Sequence, residues 1–358
     1  MMRSFTYALM PVLALAASCI SRPQPSFEPV QYVSDIISRL PEDKEECDIL
    51  DSCSFRRPGA DGQIVLIDNQ ARCELLTSTF LTCDFFDNVT GETSDPSDRL
   101  PDFAGETVVQ LVEDRVFPDV SEIARIASVE DALIALNMNP RAKVVVLSSQ
   151  YLSAGRRDVD TLFSQFAVTV PVISSVEAMV HEAVDTYNNP YASIALMASP
   201  SVASSGFYQE AVQRIAPLAT CVAASPDSTG SFRSFLDSCI AGGLKTIDAI
   251  LVDDYAVSAD SLQDECTSIL ATESVEDAPY RSLLAGGIHV IDPRRSVLSA
   301  VYLAMRRCNI FTHNIAYPAV CPAVYTLTDV NDFTARVQDM APKTQQANVQ
   351  DQYDSGGD

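Results

Sequence analysis

Two similar, doubly wound parallel-sheet domains with a site at their interface, an α/β architecture, are predicted by two stretches and by the pattern around them. Asp248-Ala-Ile-Leu-Val-Asp-Asp-Tyr-Ala256 and Lys143-Val-Val-Val-Leu-Ser-Ser-Gln-Tyr-Leu-Ser153 are apolar runs that end abruptly in polar residues. A parallel strand buried on both faces reads this way where its carboxyl end opens into a loop. The third observation is alternation: short apolar runs take turns with segments of helical period, as parallel sheets with crossover helices require. In open α/β sheets ligands bind at the carboxyl ends of the strands, so two such ends point to one site shared by two halves.

The chain has 358 residues, room for two domains, and its 47% hydrophobic content suffices for packed cores. Its 24 Lys and Arg against 48 Asp and Glu give a formal charge of −24, which argues against nucleic acid and anionic membrane surfaces as partners. Residues 1–19 read as an export signal: Arg3, then the apolar run from Ala8 to Ala17, then Ser18 and Cys19. That run is too short to span a bilayer permanently. Leu15-Ala-Ala-Ser-Cys19 resembles a lipobox with Cys19 as the lipidated residue, and Ala-x-Ala cleavage without a lipid is the competing reading. The expected location is therefore exported, as an envelope lipoprotein or a secreted protein, with contact to membrane only through such an anchor.

Nine of the ten cysteines follow Cys19, with no Cys-x-x-Cys spacing for zinc. Export permits disulfides, with Cys47–Cys53 and Cys308–Cys321 as candidate pairs, and burial as small apolar residues is the alternative. Asn88-Val-Thr90 is a glycosylation sequon in a eukaryotic host. No metal and no cofactor is expected.

In chain order, residues 20–61 form a polar tether with one short helix over Val30 to Leu40. Strands are expected at Gln63 to Asp68, Thr79 to Asp84, Lys143 to Leu147, Val168 to Ile173, Ala192 to Ala198, Ala249 to Val252 and Ile288 to Asp292. Helices are expected at Glu106 to Arg115, Val129 to Leu136, 155–166, Ser175 to Asn188, Ser205 to Ile215, Ser296 to Arg307 and Asn331 to Met340. Residues 341–358 read as a disordered polar tail.

Three stretches, in their order, resemble the glutamate racemase branch of the aspartate/glutamate racemase superfamily. Ala198-Ser-Pro-Ser-Val-Ala-Ser-Ser-Gly-Phe-Tyr208 is similar to the family's Ala-Thr-x-Gly-Thr-x-x-Ser-Gly-x-Tyr loop. Gly287-Ile-His-Val-Ile-Asp-Pro293 resembles its Gly-Val-x-Leu-Ile-Asp-Pro stretch, and Tyr325 to Phe333 its closing Thr-x-Asp-x-x-x-Phe segment. The resemblance implies a first domain of 62–174 with 288–340, a second of 175–287, a small amino-acid-like ligand and a homodimer.

It also implies where chemistry would sit. The family places one cysteine on each face of the substrate α-carbon, and those positions fall on Ser149 and Asp254. A thiol is readily tuned to thiolate at neutral pH, whereas a serine hydroxyl without a base supplies almost no alkoxide. Asp254, when ionised, is a weak base for a carbon acid. The family's Asp-Ser-Gly-x-Gly-Gly motif appears as Asp68-Asn-Gln-Ala-Arg-Cys73, which keeps the acid and puts Asn69 at the serine. Ser149, Asp254 and Asp68 are thus the candidate catalytic positions, and Asn69, Gly91, Gln150, Tyr151, Ser205 and Tyr255 the candidate ligand contacts. Structural alternatives stand beside them: Asp68 and Ser205 as helix caps, Asp292-Pro293 as a turn or cap after a strand, and Cys73 as a buried or bridged cysteine and not a relocated nucleophile. The expected function is binding or interaction by a racemase-like protein without two-cysteine chemistry. The alternative is a superfamily isomerase with altered catalytic residues.

Overall fold

A computed structural model describes residues 27–39, 57–93, 99–113, 115, 117, 121–138, 140–187, 189–226, 231–253, 257–285, 287–313 and 319–321. The export signal with Cys19, Cys47 and Cys53, Asp254 and Tyr255, the helix expected over Asn331 to Met340, and the tail lie outside the described residues.

The chain begins with α1 (Gln31–Arg39), β1 (Gln63–Asp68), α2 (Gln70–Thr82), β2 (Thr107–Val112), α3 (Glu122–Asn137), β3 (Ala142–Leu147), α4 (Gln150–Ser153), α5 (Arg156–Gln165) and β4 (Val172–Ser174). It continues with α6 (Ser175–Tyr187), β5 (Ser193–Met197), α7 (Pro200–Ser205), α8 (Phe207–Ile215), β6 (Thr220–Ala224), α9 (Phe232–Ala241) and β7 (Ala249–Val252). The last elements are α10 (Ala259–Ala271), α11 (Ala278–Leu283), β8 (His289–Ile291), α12 (Pro293–Cys308) and β9 (Ala319–Cys321).

Two parallel sheets result, ordered β4-β3-β1-β2-β9 and β6-β5-β7-β8. Read from the other edge, the second sheet runs β8-β7-β5-β6, so it repeats the 4-3-1-2 order of the first, and β9 is an addition at one edge. The unbroken apolar runs follow from burial on both faces. Val65, Ile67, Val145 and Leu147 enter one core while Ile64, Leu66, Val144 and Val146 enter the other. The second sheet alternates in the same way, with Ile250 and Val252 on one face and Ala249 and Leu251 on the other.

Two helices join the halves. α6 leaves the first sheet and packs Val176, Met179, Val180 and Ala183 into the second sheet's core. α12 leaves the second sheet and packs Val297, Val301 and Met305 under the first. They meet where the Ser296 hydroxyl donates to Glu182 at 2.6 Å.

Several expectations need correction. Thr79 to Thr82 is the last turn of α2: Cys73, Leu76, Thr77 and Phe80 are buried at helical spacing, which overrides the strand propensity of Thr-Phe-Leu-Thr. The segment from Thr107 to Val112 is β2, not helix, because five of its six side chains are buried and both faces are covered. Pairing of the fourth strand is confined to Val172–Ser174. The helix expected over Ser205 to Ile215 is α8, which begins at Phe207 after Gly206, whose φ of 75° lies in the left-handed region that glycine tolerates and separates it from α7. α2, α4, α7, β6, α9, α10, α11 and β9 went unanticipated. β8 was expected in the first domain, yet it pairs with β7 and closes the second sheet, and only the helix after it returns to the first. Cys308 is a free thiol, so the Cys308–Cys321 bridge is absent.

Candidate functional site

In the strand order 4-3-1-2 the chain leaves β1 toward β2 on one side and returns to β3 on the other. The crevice at the carboxyl ends of β1 and β3 is therefore a topological switch point, and in the second half the equivalent crevice lies between β5 and β7. Their ends carry Asp68 with Ser148 and Ser149, and Ala198 with Asp253. Ser148 ties the first pair together, its backbone and hydroxyl both donating to the Ile67 carbonyl at 3.1 and 3.0 Å.

Asp68 is 3% exposed. It does not cap α2; that role falls to Asn69, whose side chain accepts from the Arg72 N–H at 3.1 Å. The Asp68 carboxylate instead accepts the Asn69 N–H at 2.7 Å and faces the Arg72 guanidinium at 3.8 Å. Burial pushes its pKa up to about 6, against the pull of Arg72 and of the Asn69 N–H. A carboxyl poised there exchanges protons near neutrality, as an acid or base in a site must. Arg72 also donates to the Gln150 side chain at 3.0 Å, so Asp68, Arg72 and Gln150 form one polar chain across the β1/β3 crevice. Arg72 escaped the sequence reading; its position four residues after Asp68, in the first turn of α2, is the signal that could have found it.

Ser149 is 4% exposed and caps α4, accepting the Leu152 N–H at 3.1 Å, so its oxygen is engaged in structure. Tyr151 crosses to the other half: it packs against the second sheet's core, and its hydroxyl lies 3.5 Å from that of Ser201. Ser201 is itself 3.1 Å from Ser199, the residue that caps α7 beyond the β5 end. The structure thus brings together Asp68, Asn69, Ser149, Gln150 and Tyr151. Ser205 is occupied in the turn between α7 and α8, donating to Val202 at 2.7 Å and accepting from Phe207 at 3.2 Å. Gly91 lies against the Arg306 side chain, which binds the Thr90 carbonyl at 2.7 Å. Asp253, the residue before Asp254, is buried at the end of β7, its N–H bonded to Met197 at 2.9 Å.

Of the described cysteines, Cys73, Cys83, Cys239 and Cys266 are buried in the cores, Cys221 is half-buried against one of them and Cys308 is exposed. Cys73 donates toward the Leu66 and Asp68 carbonyls beneath α2. Burial pushes Cys239 and Cys266 up to about 12 and raises Cys83 as well, which removes thiolate at neutral pH. Asp292 caps α12, accepting from Arg294 and Arg295, as its Asp-Pro sequence suggests. A separate cavity of about 640 Å³ lies between α6, α12 and the end of β4; none of Asp68, Arg72, Gln150 or Tyr151 lines it. Among the described residues no cluster of His, Cys, Asp and Glu could hold a metal ion.

These features define an α/β protein of two topologically repeated parallel sheets with polar groups gathered at its switch points. No family model matches the sequence, and no curated protein matches it. Among solved structures the chain is similar to a glutamate racemase isoform from Bacillus anthracis, with 12% identity over 78% of this chain and 93% of that one, at a TM-score of 0.46. It is also similar to the glutamate racemase of Francisella tularensis in complex with D-glutamate, with 13% identity over 80% and 96% and a TM-score of 0.47. The Thermus thermophilus glutamate racemase gives 12% identity over 80% and 96%, with a TM-score of 0.47.

Proposed function

We propose that this chain is a racemase-like protein that does not perform two-thiol racemisation and acts by binding a small amino-acid-like carboxylate at the seam of its two halves. The observation that carries the reading is at Ser149. The position where the resemblance puts a catalytic thiol holds a hydroxyl that caps α4, and Cys73, Cys83, Cys239 and Cys266 are buried in the cores. Tyr151, reaching Ser201, narrows the crevice that a substrate would enter. Arg72 is the group suited to a ligand carboxylate, since a guanidinium offers paired donors to one. On the same reading the N-terminal segment exports the chain, either as a lipoprotein attached through Cys19 or as a secreted protein.

A second reading, an isomerase of altered chemistry, is favoured by Asp68, a buried acid poised near neutrality beside a cation. The test is α-proton exchange in deuterium oxide with the folded chain and a panel of D- and L-amino acids that includes glutamate and aspartate. No exchange, together with saturable binding that Arg72→Met weakens, is the expected outcome. Exchange that disappears in Asp68→Asn or Asp254→Asn would overturn the binding reading in favour of the isomerase.

A further inference from the structure

The cavity of about 640 Å³ between α6 and α12 takes no part in the Asp68 crevice, and its size is that of a small-molecule site. Its walls are two helix faces. α6 lines it with Glu177, Ala178, His181 and Asp185, and α12 with Arg295, Ser299, Leu303 and Arg307. Positions three and four residues apart share one side of a helix, so each wall is a continuous stripe. Val172 and Ile173 of β4 and the Phe85 ring complete the apolar part of the lining.

The charges here run against the composition of the chain. The sequence holds 48 acids and 24 Lys and Arg, yet Arg156, Arg295 and Arg307 all face this one cavity. Its acids are largely engaged: Glu177 binds Arg214 at 2.7 Å, and Glu182 accepts from the Ser296 hydroxyl at 2.6 Å and lies 3.3 Å from His289. The arginines are less committed. Arg156 pairs with the exposed Asp160 one turn along α5, while its buried Nε makes no hydrogen bond, a cost that a bound acceptor would remove. Arg295 lies over the Phe85 ring at 5.4 Å, and it stands in the first turn of α12, where the helix dipole disfavours a cation. Among the described residues neither Arg295 nor Arg307 has a carboxylate within ion-pair reach. They are twelve residues apart on α12, about 18 Å along its axis. Between them the lining side chains are small or apolar, with Ser299, Ala300 and Ala304 beside a Leu303 that is 46% exposed.

We propose that this cavity binds an elongated organic dianion, with an acidic group held at each end by Arg295 and Arg307 and an apolar middle lying along Ala300 and Leu303. The simplest such ligand is a straight-chain aliphatic dicarboxylate. A guanidinium offers paired donors to each carboxylate, and the chain between them covers Leu303.

The deciding experiment is isothermal titration calorimetry of the whole chain with suberate, a dicarboxylate, and with octanoate, which has the same chain length and one acid. Saturable binding of suberate in the millimolar range or tighter is expected, with octanoate weaker on the order of tenfold. Arg295→Gln and Arg307→Gln, both at exposed positions, are each expected to weaken suberate on the order of tenfold, and Arg72→Met in the separate crevice to leave it unchanged. Absence of saturable suberate binding, or octanoate binding as tightly as suberate, would overturn the proposal. So would binding that Arg72→Met abolishes and the two cavity variants leave intact.

Discussion

Replacing Arg72 by Met isolates what the guanidinium does to Asp68. At 3.8 Å a unit charge is worth about 1 kcal/mol in water-like screening and about 4 kcal/mol at an effective dielectric of about 20. The Arg72 side chain is 24% exposed, so solvent holds the value near the lower bound, at about 1 to 1.5 kcal/mol or roughly one pH unit. Because the cation favours the ionised form, its loss moves Asp68 upward from about 6. Selective carbon-13 labelling of aspartate carboxyls, with Asp68→Asn for assignment, gives both midpoints by NMR titration. A wild-type midpoint in the ordinary carboxylate range, or a downward shift in Arg72→Met, would refute both the burial of Asp68 and its coupling to Arg72.

The same carboxyl governs stability. With a folded pKa of about 6 against about 3.9 unfolded, Asp68 costs about 3 kcal/mol once ionised, so Asp68→Asn is expected to be the more stable protein at pH 8 and no more stable than wild type at pH 4 in urea titrations. Lys143, fully buried, pairs with Glu106 and donates to the Ala60 and Ile310 carbonyls at 3.0 and 3.1 Å. Lys143→Met strands Glu106 and is expected to cost about 3 to 5 kcal/mol, with partial rescue by Glu106→Gln; a loss under about 1 kcal/mol by chemical denaturation would sink that account. Ser149→Ala removes the α4 cap and should cost about 1 kcal/mol, with faster amide exchange at Leu152; unchanged stability and exchange would mean the hydroxyl is free for another role.

The chain's own pattern determined its class. The apolar runs of β1, β3, β5 and β7 need two covered faces, and only stacked helices on both sides of a parallel sheet supply them. Asp292-Pro293, expected as a turn or cap after a strand, caps α12, because capping is local chemistry, although the helix starts three residues before the expected Ser296. Where a short segment could satisfy either period, as at Thr79 to Thr82 and Thr107 to Val112, the decision came from partners distant in sequence. The site divides the same way. Position along the chain marked Asp68, Ser149, Gln150 and Tyr151, since strand ends are visible in sequence. Only the tertiary structure decided that Asn69 and not Asp68 caps α2, that Ser149 is spent on α4, and that Arg72 reaches both Asp68 and Gln150. Burial and charge proximity belong to neighbours brought together by folding, and no local pattern encodes them.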